Sequence, residues 1–189
     1  MVHDWGGAIG LGTALKQLDR IKRLVIFNTA AFIDHVPVEI RMCRWPGVGE
    51  AVIQGMNGFL RAGFWRATWD RSRFKGDVAR GYMAPYNSWE NRYAHLAFIR
   101  DIPIEADHPT RSIINEIDRR LDELAHLPTT FIWGTHDFVF TTAFLERFLT
   151  RFPDPEVHLL EDAAHFVVED AHEKIVPIVR SFLDRHPLG

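Results

Sequence analysis

Val2–Gly7 reads VHDWGG, and the reading of these six residues decides the fold. The pattern small-x-nucleophile-x-Gly marks a sharp strand-to-helix turn that holds a reactive side chain exposed at its apex, the nucleophile elbow. Asp4 takes the apex position, flanked by His3 and Trp5, with Gly6 and Gly7 behind it. Glycines there let the following helix approach the strand closely and leave the apex side chain on a strained turn. A carboxylate at the apex attacks a saturated or strained carbon and forms an alkyl ester. The structural alternative is that Asp4 only caps the helix that follows.

Working outward, Ala8–Leu18 carries apolar residues at helical spacing and is expected to be the elbow helix. Arg23–Thr29, RLVIFNT, is a continuous β-branched and apolar run that reads as a buried parallel strand. From Ala30 to about Pro109, prolines and glycines punctuate short helical stretches rich in Trp and Phe, a composition that suits an inserted cap. Within it, Phe59–Trp69 reads as substrate-lining or core-packing, with weak contact to a membrane surface as the other reading. Helix is expected over Arg111–Leu127, strand over Thr129–Trp133 with Gly134 ending it, and helix over Thr142–Phe152 closed by Pro153. A third strand, Glu156–Leu160, is followed by a helix over Asp170–His186, with Asp170 as its start and a bend at Pro177. The succession predicts an α/β fold with a parallel sheet. Its expected divisions are 1–33 for elbow, helix and strand, 34–110 for the cap, and 111–189 for the rest of the core.

Reactive residues of such sheets collect at the carboxyl ends of strands. Asp4, Asp137 in the turn GTHDF and His165 in the turn DAAHF fall there. Their order is nucleophile, acid, histidine, the order of α/β hydrolases. Ten histidines make any single one uninformative; His165 is distinguished by its place after the last strand. A carboxylate nucleophile needs no proton removed, so the histidine acts later, as the base that activates water against the ester. Asp137 would fix the imidazole tautomer, its alternative being a plain turn aspartate. The Trp5 indole N–H could bind a departing halide or a developing oxyanion, or Trp5 could simply pack. His3 reads as structural, and Tyr82, Tyr86 and Tyr93 read as packing in preference to epoxide-protonating acids.

The balance of charge, −3 over 189 residues, argues against nucleic acid as a partner. Cys43 is the only cysteine, so no internal disulfide forms and a reducing, cytoplasmic setting is expected. No signal peptide and no membrane span is visible, and no cofactor or metal is expected.

VHDWGG resembles the elbow of haloalkane dehalogenases and their relatives among α/β hydrolases. IKRLVIFNTAAF, GYMAPYNSWENRYAHLAFIRDIP, FIWGTHDFVF and EVHLLEDAAHFVVED extend the resemblance over nearly the whole chain. The phrases APYNSWENR and FIRDIP are similar to the β-lactone decarboxylase branch of bacterial long-chain olefin biosynthesis. The resemblance implies Asp4 as nucleophile, Asp137 as acid, His165 as histidine and Trp5 at the halide or oxyanion position. It implies a small apolar substrate, a cis-β-lactone converted to an olefin and carbon dioxide, with a β-lactone synthetase as assembly partner. Haloalkane and epoxide remain the alternative substrates. The family's second oxyanion donor sits in an HGNP-type loop before the elbow, and several strands precede it there, roughly a hundred residues at about 30 per βαβ unit. The expectation is a fragment or mis-started reading frame, the C-terminal part of an α/β-hydrolase sheet with a helical cap. Its exposed sheet edge would favour aggregation, and turnover would belong to the full-length parent.

Overall fold

The computed structural model describes residues 1–188. Four strands form one parallel sheet in the order β1 (Val2–Asp4), β2 (Leu24–Thr29), β3 (Thr129–Gly134) and β4 (Glu156–Leu160). Every residue of β2 and β3 is buried, as a strand covered on both faces requires. Side chains alternate along β2. Leu24 and Ile26 join a core with Leu11, Phe131, Trp133 and Phe148, whereas Val25 and Phe27 join a second core with Ile132, Val167, Ile175 and Phe182. The period of two therefore sorts one apolar run into two layers.

The first layer is covered by α1 (Trp5–Leu15), and between β2 and β3 the chain runs through α2 (Val38–Met42), α3 (Gly58–Arg66), α4 (Gly76–Met83), α5 (Trp89–Arg100) and α6 (Arg111–Arg120). Helices α7 (Thr142–Leu149) and α8 (Val167–Arg185) complete the fold. Ile40, Ile53, Leu96 and Ile99 make a third apolar cluster, separate from the two that flank the sheet. Segments α2 to α5 thus carry a small core of their own.

Several boundaries differ from the expected ones. Helix α1 starts at Trp5 and ends at Leu15, with a short 3-10 turn at Leu18–Arg20, because Gly6 and Gly7 sit inside its first turn and do not delay it. The stretch expected as one helix to Leu127 ends as α helix at Arg120 and tightens into a 3-10 turn over Leu121–Leu124. The next helix stops at Leu149, short of Phe152. The last one begins at Val167, three residues before Asp170, and departs from helical geometry at Ala171 (φ −141°, ψ 28°), not at Pro177.

Candidate active site

Strand β1 ends on Asp4 and α1 begins at the next residue, so the chain reverses its geometry at one position. Asp4 has φ 51° and ψ −130°. A non-glycine residue held there costs on the order of 1–3 kcal/mol. Two neighbours hold the strain. The Thr29 hydroxyl donates to the Asp4 carbonyl. Gly7 lies so close to β2 that a Cβ in its place would stand 2.7 Å from the Ala30 carbonyl oxygen. The result is an aspartate side chain 44% exposed, raised clear of the strand end.

Asp137 follows β3, and its side chain is fully buried. One carboxylate oxygen accepts the backbone N–H groups of Val139 (2.7 Å) and Phe140 (3.0 Å). The other accepts from His165 Nδ1 at 2.9 Å. These backbone donors orient the carboxylate, and the carboxylate holds the imidazole with Nδ1–H as its donor. His165 Nε2 then faces Asp4, 3.9 Å from its Oδ2. Burial alone would lower the His165 pKa. The charge and hydrogen bond of Asp137, with the charge of Asp4, outweigh it and push the imidazole up to about 9. The sequence-predicted triad residues therefore converge on one point.

Trp5 lines the same cavity, its ring packed on Phe98 of α5 at 5.5 Å. The cavity has a volume of about 850 Å³. Asp4, Trp5 and His165 lie at the sheet end, Phe32, Phe140 and Phe144 form the core side, and Phe59, Leu60 and Ile99 come from above. A mostly apolar enclosure with a few convergent polar groups is the usual form of a small-molecule site. The three tyrosines do not act together. Tyr82 donates to Glu169 at 3.0 Å, and burial with that carboxylate pushes its phenol up to about 12. Tyr86 stacks on His95 at 3.8 Å, and Tyr93 is exposed. Among the described residues no group of His, Cys, Asp and Glu is arranged to hold a metal ion.

Two further side chains hold the loop that carries His165. His3, which the sequence presents as structural, donates its Nε2–H to the His165 backbone carbonyl at 2.8 Å, and its ring lies 4.9 Å from the His165 ring. Burial, and then the charge of His165, hold His3 below the ordinary histidine range. Asp170 was read as a helix start. Instead its buried carboxylate accepts Ala164 N–H (2.9 Å), next to His165, and Trp69 (2.9 Å) and Asp70 (3.1 Å) N–H from the segment after α3. Phe166 N–H adds a bond to the Ala67 carbonyl at 2.9 Å. The break at Ala171 lets this carboxylate turn inward. The loop carrying His165 is therefore held by His3 on one side and by Asp170 on the other. The signal was spacing: a carboxylate five residues beyond the histidine, at the start of the helix.

Replacing Asp170 by Asn turns one oxygen into a donor facing N–H groups, at a cost of about 1–3 kcal/mol for a buried unsatisfied pair. The Asp170→Asn protein is expected to melt several degrees lower and to lose roughly 10- to 100-fold in kcat through misplacement of His165, with KM nearly unchanged. A fall in Tm with kcat intact would mean that Asp170 only anchors the α3 segment.

Residues 1–178 match the family model described as the alpha/beta hydrolase family. The chain belongs to the α/β hydrolase family. Among curated α/β hydrolases it is 39% identical to a cis-3-alkyl-4-alkyloxetan-2-one decarboxylase of Xanthomonas campestris, over 99% of this chain and 63% of that protein. It is 34% identical to the protein of the same name from Shewanella oneidensis, over 97% of this chain and 58% of that one. A haloalkane dehalogenase of Agrobacterium fabrum is 24% identical over 98% and 62%. The solved haloalkane dehalogenase DatA from Agrobacterium tumefaciens superimposes with a TM-score of 0.84 at 23% identity, covering 98% of this chain and 65% of that one, which shows the shared fold. The chain thus spans less than two thirds of the length of these relatives. No helix among the described residues is long and apolar enough to cross a membrane.

Proposed function

We propose that this α/β hydrolase uses Asp4 as a carboxylate nucleophile on a small apolar substrate, with cis-β-lactone decarboxylation to an olefin as its reaction. The observation that carries the reading is the line Asp4–His165–Asp137, with spacings of 3.9 and 2.9 Å, at the sheet end of an apolar cavity. The greater identity to two oxetanone decarboxylases than to the dehalogenases favours the lactone. Asp4 would open the ring to an alkyl ester carrying a free carboxylate. Loss of carbon dioxide, with formation of the carbon–carbon double bond, would then expel Asp4 unchanged. Trp5 would stabilise the charge that develops on ring opening. Such an enzyme would work in the cytoplasm beside the β-lactone synthetase that makes its substrate.

The second reading is haloalkane hydrolysis, in which halide leaves and His165-activated water cleaves the ester. The epoxide reading is weakened by Tyr82, whose hydroxyl is engaged with Glu169 and is a poor acid. Turnover of a dialkyl β-lactone, a 1-bromoalkane and an epoxide in ¹⁸O-water separates the routes. Decarboxylation returns Asp4 without label, because no water enters. Ester hydrolysis places ¹⁸O in the Asp4 carboxylate, read by mass spectrometry of the active-site peptide. Label in Asp4 during lactone turnover would refute the water-free collapse.

A further inference from the structure

We propose that the rim formed by α2 and α3 docks on an anionic lipid bilayer. Four of the six tryptophans fall in residues 45–89, and each is about half exposed: Trp45 57%, Trp65 60%, Trp69 51% and Trp89 48%. Exposed indoles are unusual on a water-facing surface and concentrate at the water–bilayer boundary, where an apolar ring and a polar N–H are both satisfied.

Three of them follow the two helices, and Trp89 stands apart at the start of α5. Val38 and Met42, one turn apart on α2, are exposed at 62% and 43%, and Trp45 comes next in the chain. Trp65 lies near the end of α3, and Trp69 four residues on. An ion pair between Glu39 and Arg66, at 2.9 Å, joins the two helices between these apolar groups. Ile40 and Ala62 of the same helices, with Cys43 and Ala67 at their C-terminal caps, line the cavity, as do Glu39 and Arg66. The apolar groups therefore flank a mouth of the cavity. Trp69 stacks on His136 at 4.0 Å and Arg66 lies 4.6 Å over Phe138, which places the rim above the loop after β3, not at the β1 edge of the sheet.

Charge selects the occupant. Residues 38–75, which carry α2, α3 and the turn after them, hold seven Arg and Lys against three Asp and Glu; Arg44 is paired with Glu105 and Arg73 with Glu173, and among the described residues Arg41, Arg61, Arg71 and Lys75 stand outside any ion pair. On this face the acidic groups Glu39 and Asp70 are paired with Arg66 and Arg73, and the Arg71 guanidinium lies 4.4 Å over the Trp65 ring. Basic residues interleaved with exposed indoles suit an anionic bilayer, which attracts the cations over a Debye length and accepts the rings at its interface. The benefit of docking rests on the reading of the cavity as a site for alkyl substrate, which would pass from the bilayer between α2 and α3. The docking itself needs no turnover.

The test is cosedimentation of the protein with vesicles of phosphatidylcholine alone or mixed equally with phosphatidylglycerol. Binding to the mixed vesicles at low salt, weakened by 0.5 M salt and by neutral lipid, is expected. Trp45→Ser with Trp65→Ser should reduce partitioning about tenfold or more, with turnover of a short soluble substrate retained. Val38→Ser with Met42→Gln tests the same rim on α2 and leaves the Trp69–His136 stack in place. Asp4→Asn should sediment like the unsubstituted protein, so failure of the nucleophile reading and failure of docking are told apart. Absence of binding to anionic vesicles, or binding unaffected by both double substitutions, would overturn the proposal, as would a protein partner shown to cover Trp65 and Trp69.

Discussion

Asp4→Asn is expected to abolish turnover, by roughly 10⁴-fold or more, about 5.4 kcal/mol in the barrier, while leaving the fold intact. The size of the effect follows from chemistry: a neutral amide cannot form the ester on which both the lactone and the haloalkane routes depend. The preservation of the fold follows from geometry. Position 4 needs φ 51° and ψ −130°, and asparagine, isosteric with aspartate, bears the same backbone strain. The side chain is 44% exposed and its backbone carbonyl, not its carboxylate, is what Thr29 holds. An unchanged melting temperature with lost turnover is therefore the expected pair of observations. The covalent adduct supplies an independent readout. Intact-mass analysis during turnover should find the protein heavier by one substrate residue where ester decay is slowed, and never in Asp4→Asn. Retention of more than a tenth of the activity would sink the nucleophile assignment.

The elbow was legible because it is local. VHDWGG states its own turn, and the strained dihedral at Asp4, the start of α1 and the glycine that lets α1 approach β2 all fall within seven residues. The two central strands were legible for a different reason: RLVIFNT and TTFIWG are continuous apolar runs, and only a strand covered on both faces has a use for one. The order Asp4, Asp137, His165 followed from placing each at a strand end. What lay beyond the sequence were contacts between distant segments. His3 meets the His165 carbonyl across 162 positions, and Asp170 meets Trp69 across 101. A one-dimensional reading gave Asp170 the ordinary task of a carboxylate near a helix start. Its real partners come from a segment a hundred residues earlier, and no local periodicity announces them. The same holds for α1, where Gly7 sits inside the first turn because Thr29 and Ala30 leave room for nothing larger.

The sign of the pH dependence should report which reaction His165 serves. With Asp4 ionised, Asp137 and Asp4 together raise the imidazole to about 9, so at pH 7 the resting residue is an imidazolium between two carboxylates. Ester formation removes the charge of Asp4, one of the causes of that elevation, and on the lactone route passes it to the freed substrate carboxylate, so the His165 pKa of the intermediate is set by Asp137 together with that carboxylate. The two routes need opposite states from this point. Ester hydrolysis needs the neutral imidazole as base, so its rate climbs with pH through the intermediate's pKa. Decarboxylation regenerates a carboxylate at Asp4, and the imidazolium stabilises that developing charge, so its rate declines as pH rises through the same value. We expect kcat on a dialkyl β-lactone to carry a descending limb at or below about pH 9. His165→Gln should flatten that limb and lower kcat by roughly 10²- to 10³-fold, and Asp137→Asn, which removes the largest raising influence, should move it to lower pH. An ascending limb on the lactone would assign His165 the work of a base, and the decarboxylation would then need water to enter.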